Sequence, residues 1–379
     1  MSQVKRSVQD QSKEKNVKID NLEKDPLIHD NGSEKPQGDE TPRSKNQISL
    51  DKYEKIWRTI SIFVVTGSLW VTYTLKDFAE WSAKNLPTSA KWSDIYYVAT
   101  LALFIYFVRS FFRMLLYKPV YDGLEGRYFG EEREQRAQKV VKWVHDTIYY
   151  SCTTIFLYVN YRKTVLIDPM LFGEGDRTQL FKNMPGLPDP QEFPYLKEYY
   201  LVQMAAHLCT LVEQILFKRD EAKYYEYFLH HFLSFILILN SYMQHELLLG
   251  TTVLLTHDMT DVFLASGRSL EAFFKPKGTS LKSILLYSYF GLCLVVWIYC
   301  RTICFTTIPI YQSYLNFGNW PEIWPMIAPG WWFSFILILI LMVMDTYWSV
   351  IMLKIVVGAL YRREYKNTYD PKILKKREN

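Results

Sequence analysis

His230 and His231 interrupt an otherwise largely apolar stretch, Tyr225 to Met243. His257, Asp258 and Asp261 interrupt a second one, Glu246 to Ala265. Ionisable groups inside a bilayer cost several kcal/mol each, so where they occur away from a helix end they mark a site. A neutral histidine beside a carboxylate is a general base, because the carboxylate fixes the tautomer and stabilises the imidazolium formed when a proton is taken. Histidine can also attack an activated acyl group directly. Both properties suit transfer of an acyl group from a thioester to an amine or alcohol. Three histidines and two aspartates also make a donor set for zinc or iron, or a polar network that does no more than hold helices together. Membrane di-iron oxygenases use about eight histidines in HxxxH and HxxHH boxes. This chain has seven, one of them His29 near the start, and the expectation is that no metal is bound.

The elements that must position these residues are membrane spans. Hydrophobic residues make up 49% of the 379 and aromatics 16%. Apolar runs approach the roughly 20 residues needed to cross a bilayer. Eight are predicted: Trp57–Leu75, Ser93–Leu116, Trp143–Asn160, Glu198–Phe217, Tyr225–Met243, Glu246–Ala265, Ser283–Ile308 and Trp331–Leu353. A soluble enzyme is excluded. Met1–Leu50 is rich in Lys, Asp, Glu, Ser, Asn and Gln and cannot bury enough apolar surface to offset its ordering entropy; it reads as a disordered cytosolic tail. Lys and Arg concentrate in the second, fourth and sixth loops: Lys118 to Lys142, then Lys218, Arg219 and Lys223, then Arg268 to Lys282. The fifth and seventh loops have none, and the C-terminal end is basic again, so both termini are expected in the cytosol.

On this topology His231 lies about 9 Å from the cytosolic face, His257 about 12 Å and Asp261 about 6 Å, at 1.5 Å per residue. The two clusters share one depth. The short loop between their spans predicts an antiparallel pair in which the clusters can face each other, with one histidine of the fifth span pointing into the site and the other paired with Asp258 or Asp261 or reaching a lumen-facing neighbour. His257 and Asp261 are four residues apart and His230 and Ser234 likewise, so each set presents one polar face. Among the other intramembrane ionisable groups, His207, Glu213 and Arg301 read by position as structural. Arg109 reads as snorkelling to the headgroups, and Asp345 is open.

The remaining composition sets limits. The net charge of +5 is too mild to argue for nucleic acid, and no nucleic-acid partner is expected. Cys152, Cys209, Cys293, Cys300 and Cys304 lie in apolar stretches without CxxC spacing, so no disulfide framework or zinc site is implied. The N-terminus lacks the pattern of a secretory signal, and the first span is expected to double as the targeting signal.

The stretch Tyr225–Arg268, YEYFLHHFLSFILILNSYMQHELLLGTTVLLTHDMTDVFLASGR, resembles the Lag1 motif of the ceramide synthases within the TLC-domain superfamily. The double histidine is His230 and His231. It is followed by the hydroxyl of Ser234, the pair Ser241 and Tyr242, Gly250, His257–Asp258 and the second aspartate Asp261. FPYLKEYYLVQMA resembles the segment before the fourth span, VVWIYCRTICFTTIP with Trp297 and Arg301 a later helix, and DTYWSVIMLKIV the last; together the likeness covers roughly Lys139 to Tyr361. Departures are Ser234 for threonine, Leu248 for a basic residue, Ala265 for an acidic one, Arg268 for lysine and Asp345 for histidine.

The resemblance implies an all-α polytopic membrane protein, about eight transmembrane helices in a TLC-type bundle or barrel. Residues 1–50 would be the disordered cytosolic tail, 51–138 the N-terminal transmembrane helices, 139–361 the TLC catalytic membrane domain and 362–379 a basic cytosolic tail. It implies N-acylation of a sphingoid base with fatty acyl-CoA in the endoplasmic reticulum membrane, acyl-CoA being a cosubstrate and no cofactor being bound. His230, His231, His257, Asp258 and Asp261 would be catalytic, and Ser234, Tyr242, Trp297 and Arg301 would bind substrate. One of His230 and His231 would act as nucleophile or base; spacing does not choose between an acyl-imidazole and direct attack on the thioester. Two other readings stand beside it: a non-catalytic TLC-type protein that binds lipid or assists another protein, and a metal-dependent lipid hydroxylase. Partners on the main reading are acyl-CoA, a sphingoid base and membrane lipid. Self-association or association with a small regulatory subunit is open.

Overall fold

The computed structural model describes residues 42–86, 89–219, 223–274 and 281–362. The chain divides into two units, Met1–Lys45 and Asn46–Asn379. Of the tail predicted at 1–50, residues 1–41 lie outside the described residues, and the helical backbone already begins at Pro42. The basic tail beyond Arg362, and Lys275 and Lys277 of the sixth loop, also lie outside them.

All regular structure among the described residues is helical. The long helices are α1 (Pro42–Asn85), α2 (Asp94–Gly123), α3 (Gly130–Tyr161), α4 (Leu196–Phe217), α5 (Tyr224–Met243) and α6 (Leu247–Phe274). A continuous run follows, formed by α7 (Leu281–Ile298), two π-helical turns (Tyr299–Cys304 and Thr306–Ile310) and α8 (Tyr311–Leu315). The last helix is α9 (Trp324–Arg362). Each apolar segment predicted from the sequence falls, to within a residue, in one of these runs. Five are long and apolar enough to cross a membrane: α2, α4, α6, the α7–α8 run and α9. The apolar side chains of α2, among them Leu103, Phe104, Phe107, Phe111 and Met114, point outward, the inverse of a water-soluble surface.

Packing runs from neighbour to neighbour and returns to its start: α3 on α6, α6 on α7, α7 on α9, α9 on α5, α5 on α4, α4 on α2 and α2 on α3. The short α5–α6 connection predicts that these two helices pack as an antiparallel pair. They do touch, but α6 lays its principal face on α3. A short loop ties two helices at one end only, and side-chain packing sets the rest. α1 lies against α9, where a Cβ on Gly67 would come within 2.4 Å of the Phe333 ring. Small residues permit this kind of approach between membrane helices. The second π turn has a local cause: Pro309 has no N–H to give and its ring crowds the carbonyl four residues back, which disfavours regular α-helix there.

The loop end of α5 and α6 is closed by polar pairs. The Tyr242 hydroxyl donates to Asp94 at the start of α2, and the Asp94 carboxylate also meets Lys197 of α4 at 3.1 Å. His245, between α5 and α6, accepts from the Ala90 amide at 3.0 Å through Nε2 and donates through Nδ1 to the Pro185 carbonyl. Tyr242→Phe removes a donor from a buried carboxylate, which costs about 1–3 kcal/mol. The thermal unfolding midpoint in detergent is therefore expected to fall, and an unchanged midpoint would contradict the α2–α5 tie.

Candidate active site

Side chains from seven elements, Arg109 of α2 among them, converge on one cavity that is partly open to the outside. α5 presents His230, His231, Ser234, Leu237, Ile238 and Ser241, and α6 presents Glu246 from its entry, then Leu249, Gly250, Val253, Leu254, His257, Asp258 and Asp261. On each helix these positions recur every three or four residues, which puts them on one face. α4, α9, α3 and the first π turn close the walls with His207, Leu341, Tyr149 and Arg301 among others. The ionisable groups gather at the α5 N-terminal end, and aliphatic side chains line the shaft below them.

Arg301 is the hub of that end. It is 2% exposed, and its Nε donates to Thr260 Oγ1 at 2.6 Å. One terminal nitrogen donates to Asp345 Oδ1 at 3.2 Å; the other reaches Asp261 Oδ1 at 2.6 Å and the His257 carbonyl at 3.3 Å. The wider π turn presents this fork inward, and the Trp297 ring lies against it with 4.0 Å from guanidinium carbon to ring centre. Asp345, fully buried, also meets His257 Nε2 at 3.2 Å, while His257 Nδ1 faces the Val253 carbonyl at 2.8 Å. Both nitrogens of His257 are thereby engaged.

Asp258 belongs to a separate network. It accepts from Thr153 Oγ1 at 2.8 Å and from the Gln203 amide at 2.6 Å; Gln203 in turn accepts from the Tyr149 hydroxyl at 2.6 Å. His230 differs again: among the described residues its buried Nδ1 has no hydrogen-bond partner. Its ring packs edge-to-face on Trp348 at 4.9 Å, and that indole is fixed by donating to Glu226 at 2.7 Å. The His231 ring is 5.3 Å away. A positioned imidazole with an unspent nitrogen, at the head of an apolar shaft, can take a proton or attack an electrophile held there.

Of the residues predicted for the site, His230, His231, Ser234, His257, Asp258, Asp261 and Arg301 line the cavity, whereas Tyr242 and Trp297 do not. Tyr242 is spent on Asp94, and Trp297 supports Arg301 and donates to Ser349 at 3.0 Å. The expected pairing of a fifth-span histidine with Asp258 or Asp261 is corrected. Arg301 makes a charge-assisted bond to Asp261, and Thr153 and Gln203 saturate Asp258, so the carboxylate that meets a histidine is Asp345. Arg109 does not reach out to headgroups; it turns inward to Thr210 at 3.1 Å and Glu213 at 3.5 Å and lines the cavity, as does His207. Gln203, Thr153 and Tyr149 escaped a search confined to ionisable residues. The usable signal for Gln203 was an amide in the apolar segment that becomes α4.

Asp345→Ala leaves the buried guanidinium with fewer acceptors and releases His257. Breaking a buried pair from one side costs about 3–5 kcal/mol, so the thermal midpoint in detergent is expected to drop strongly, and less for Asp345→Asn. Equal midpoints for wild type and Asp345→Ala would contradict the pairing.

Comparison with known proteins places this geometry in a lineage. The chain is 24% identical over 279 residues to sphingosine N-acyltransferase LAG1 of Saccharomyces cerevisiae; the match covers 71% of this chain and 62% of the yeast protein. It is 22% identical over 327 residues to ceramide synthase hyl-2 of Caenorhabditis elegans, covering 77% and 94%. To ceramide synthase 1 LOH3 of Arabidopsis thaliana it is 25% identical over 302 residues, covering 74% and 92%. The family model described as the TLC domain matches residues 139–354, more than half of the chain and every residue of the histidine and aspartate clusters. The chain belongs to the TLC-domain family.

Proposed function

We propose that the protein is an acyl-CoA-dependent N-acyltransferase that joins a fatty acyl chain to a sphingoid base, giving ceramide or dihydroceramide, in the endoplasmic reticulum membrane. The observation that carries this is that His230, whose Nδ1 has no hydrogen-bond partner among the described residues, lines the same cavity as the apolar side chains Leu237, Ile238, Val253 and Leu254. The relatives named as sphingosine N-acyltransferase and ceramide synthase support the same reaction. In this reading eight helices cross the membrane as a barrel-like bundle with both ends cytosolic, and the basic loops on that side meet the coenzyme A phosphates.

The step is an acyl transfer. The amine nitrogen forms the new C–N bond at the thioester carbonyl, the C–S bond breaks, and the sulfur leaves as the thiol with the proton the amine gives up. His230 or His231 carries that proton from amine to sulfur, or forms the bond to the acyl carbon first and yields it to the amine. Arg301 and Asp345 hold His257, and Asp258 and Asp261 balance charge around the histidines. No observation favours a role without turnover. A metal-dependent hydroxylase needs its aspartates as ligands, whereas here Asp261 is engaged by Arg301 and Asp258 by Thr153 and Gln203.

The test is microsomal transfer from acyl-CoAs of graded length to a sphingoid base. Wild type is expected to form product, and the His230→Ala/His231→Ala double variant to lose about 10²–10⁴-fold in rate at normal abundance. Asp258→Ala is expected to lose activity as well. Product formation by the double variant at the wild-type rate would overturn the assignment.

A further inference from the structure

The cavity does not end in hydrocarbon. From His230 to Ser241 it runs about 16 Å along α5 at 1.5 Å per residue, past Leu237, Ile238, Val253 and Leu254, and then meets polar groups again: Tyr200, Ser241 and Glu246. Tyr200 is fully buried, and its hydroxyl, beside Ser241, makes no hydrogen bond of standard geometry among the described residues. The nearby Ser241 hydroxyl is spent on the Glu246 carbonyl at 2.9 Å. Glu246 is itself buried, and among the described residues no side chain or backbone group bonds its carboxyl. Gly250 lets both hydroxyls close in on α6, since a methyl there would stand 2.0 Å from the Tyr200 hydroxyl and 2.5 Å from Ser241 Oγ.

An apolar tunnel floor would be completed at less cost by Phe and Leu at these positions, because a buried polar group without a partner is penalised. We propose that this far end is a subsite for a polar chain terminus, and that the protein takes acyl chains bearing a hydroxyl at the end remote from the carboxyl. The terminal hydroxyl accepts from Tyr200 and donates to Glu246, which pairs both orphaned groups at once. The inference rests on the reading that the cavity holds an acyl chain; it adds which class of chain fills it to the floor.

The experiment measures binding of saturated fatty acids of graded length, and of their ω-hydroxy counterparts, to purified full-length protein in detergent. No amine acceptor is present, so a failure of acyl transfer leaves this test intact. At the length that reaches the floor, the ω-hydroxy acid is expected to bind about tenfold more tightly than the unsubstituted one, the size of one or two hydrogen bonds to buried groups. In Tyr200→Phe that ratio is expected to fall to about one, and in Glu246→Gln to fall as well, which carries the test if the first variant fails to fold. Equal affinity of the two acids for wild type at every length, or a preference unaltered in both variants, would overturn the proposal.

Discussion

A guanidinium removed from water inside a helix bundle has to be met by acceptors, and the demands of Arg301 set the arrangement of everything around it. Its donors are taken by a hydroxyl, two carboxylates and a carbonyl from α6 and α9, and its flat face by an indole one turn earlier. Arg301 stands in the first π turn, Tyr299–Cys304, from which its fork reaches these acceptors. Asp345, held from one side by Arg301, holds His257 from the other, so the position of α9 and the orientation of a histidine on α6 depend on one ion pair. Remove the pair and a buried guanidinium and a histidine each lose a partner.

That arrangement leaves His230 Nδ1 without a hydrogen-bond partner among the described residues. Its neighbours are aromatic rather than acidic, and the acid groups nearby have other partners. One histidine, His257, is locked into the scaffold through both nitrogens, while His230 keeps a nitrogen without a hydrogen-bond partner among the described residues. Below them the walls are aliphatic, with the outer surface of the bundle apolar as well, so the cavity is distinguished from the surroundings by its two polar ends and not by its middle.

Much of this was legible in the sequence. Apolar runs marked each long helix among the described residues, five of which are long and apolar enough to cross a bilayer. The ionisable residues within those runs named His230, His231, His257, Asp258 and Asp261, since nothing but a site or a network retains such groups there. What spacing could not give was which acid meets which base. Helical periodicity fixes faces within one helix, while the partner of His257 comes from α9, far along the chain, and the partners of Asp258 come from α3 and α4. Arg109 and Tyr242 misled for a related reason: a long side chain goes to the nearest unmet acceptor, Glu213 or Asp94, and sequence position does not reveal where that acceptor stands. Gln203 and Thr153 carry no charge and so left no mark among apolar neighbours.

The central claim is that an acyl chain enters the space between α5 and α6 with its carbonyl at the histidines. An acyl-CoA carrying a diazirine in mid-chain, photolysed on the protein and followed by peptide mapping, tests this directly. The account predicts adducts on the shaft residues Leu237, Ile238, Val253 and Leu254, and competition by unlabelled acyl-CoA. Adducts confined to outward residues such as Phe104 and Phe107 of α2, with none on α5 or α6, would contradict it.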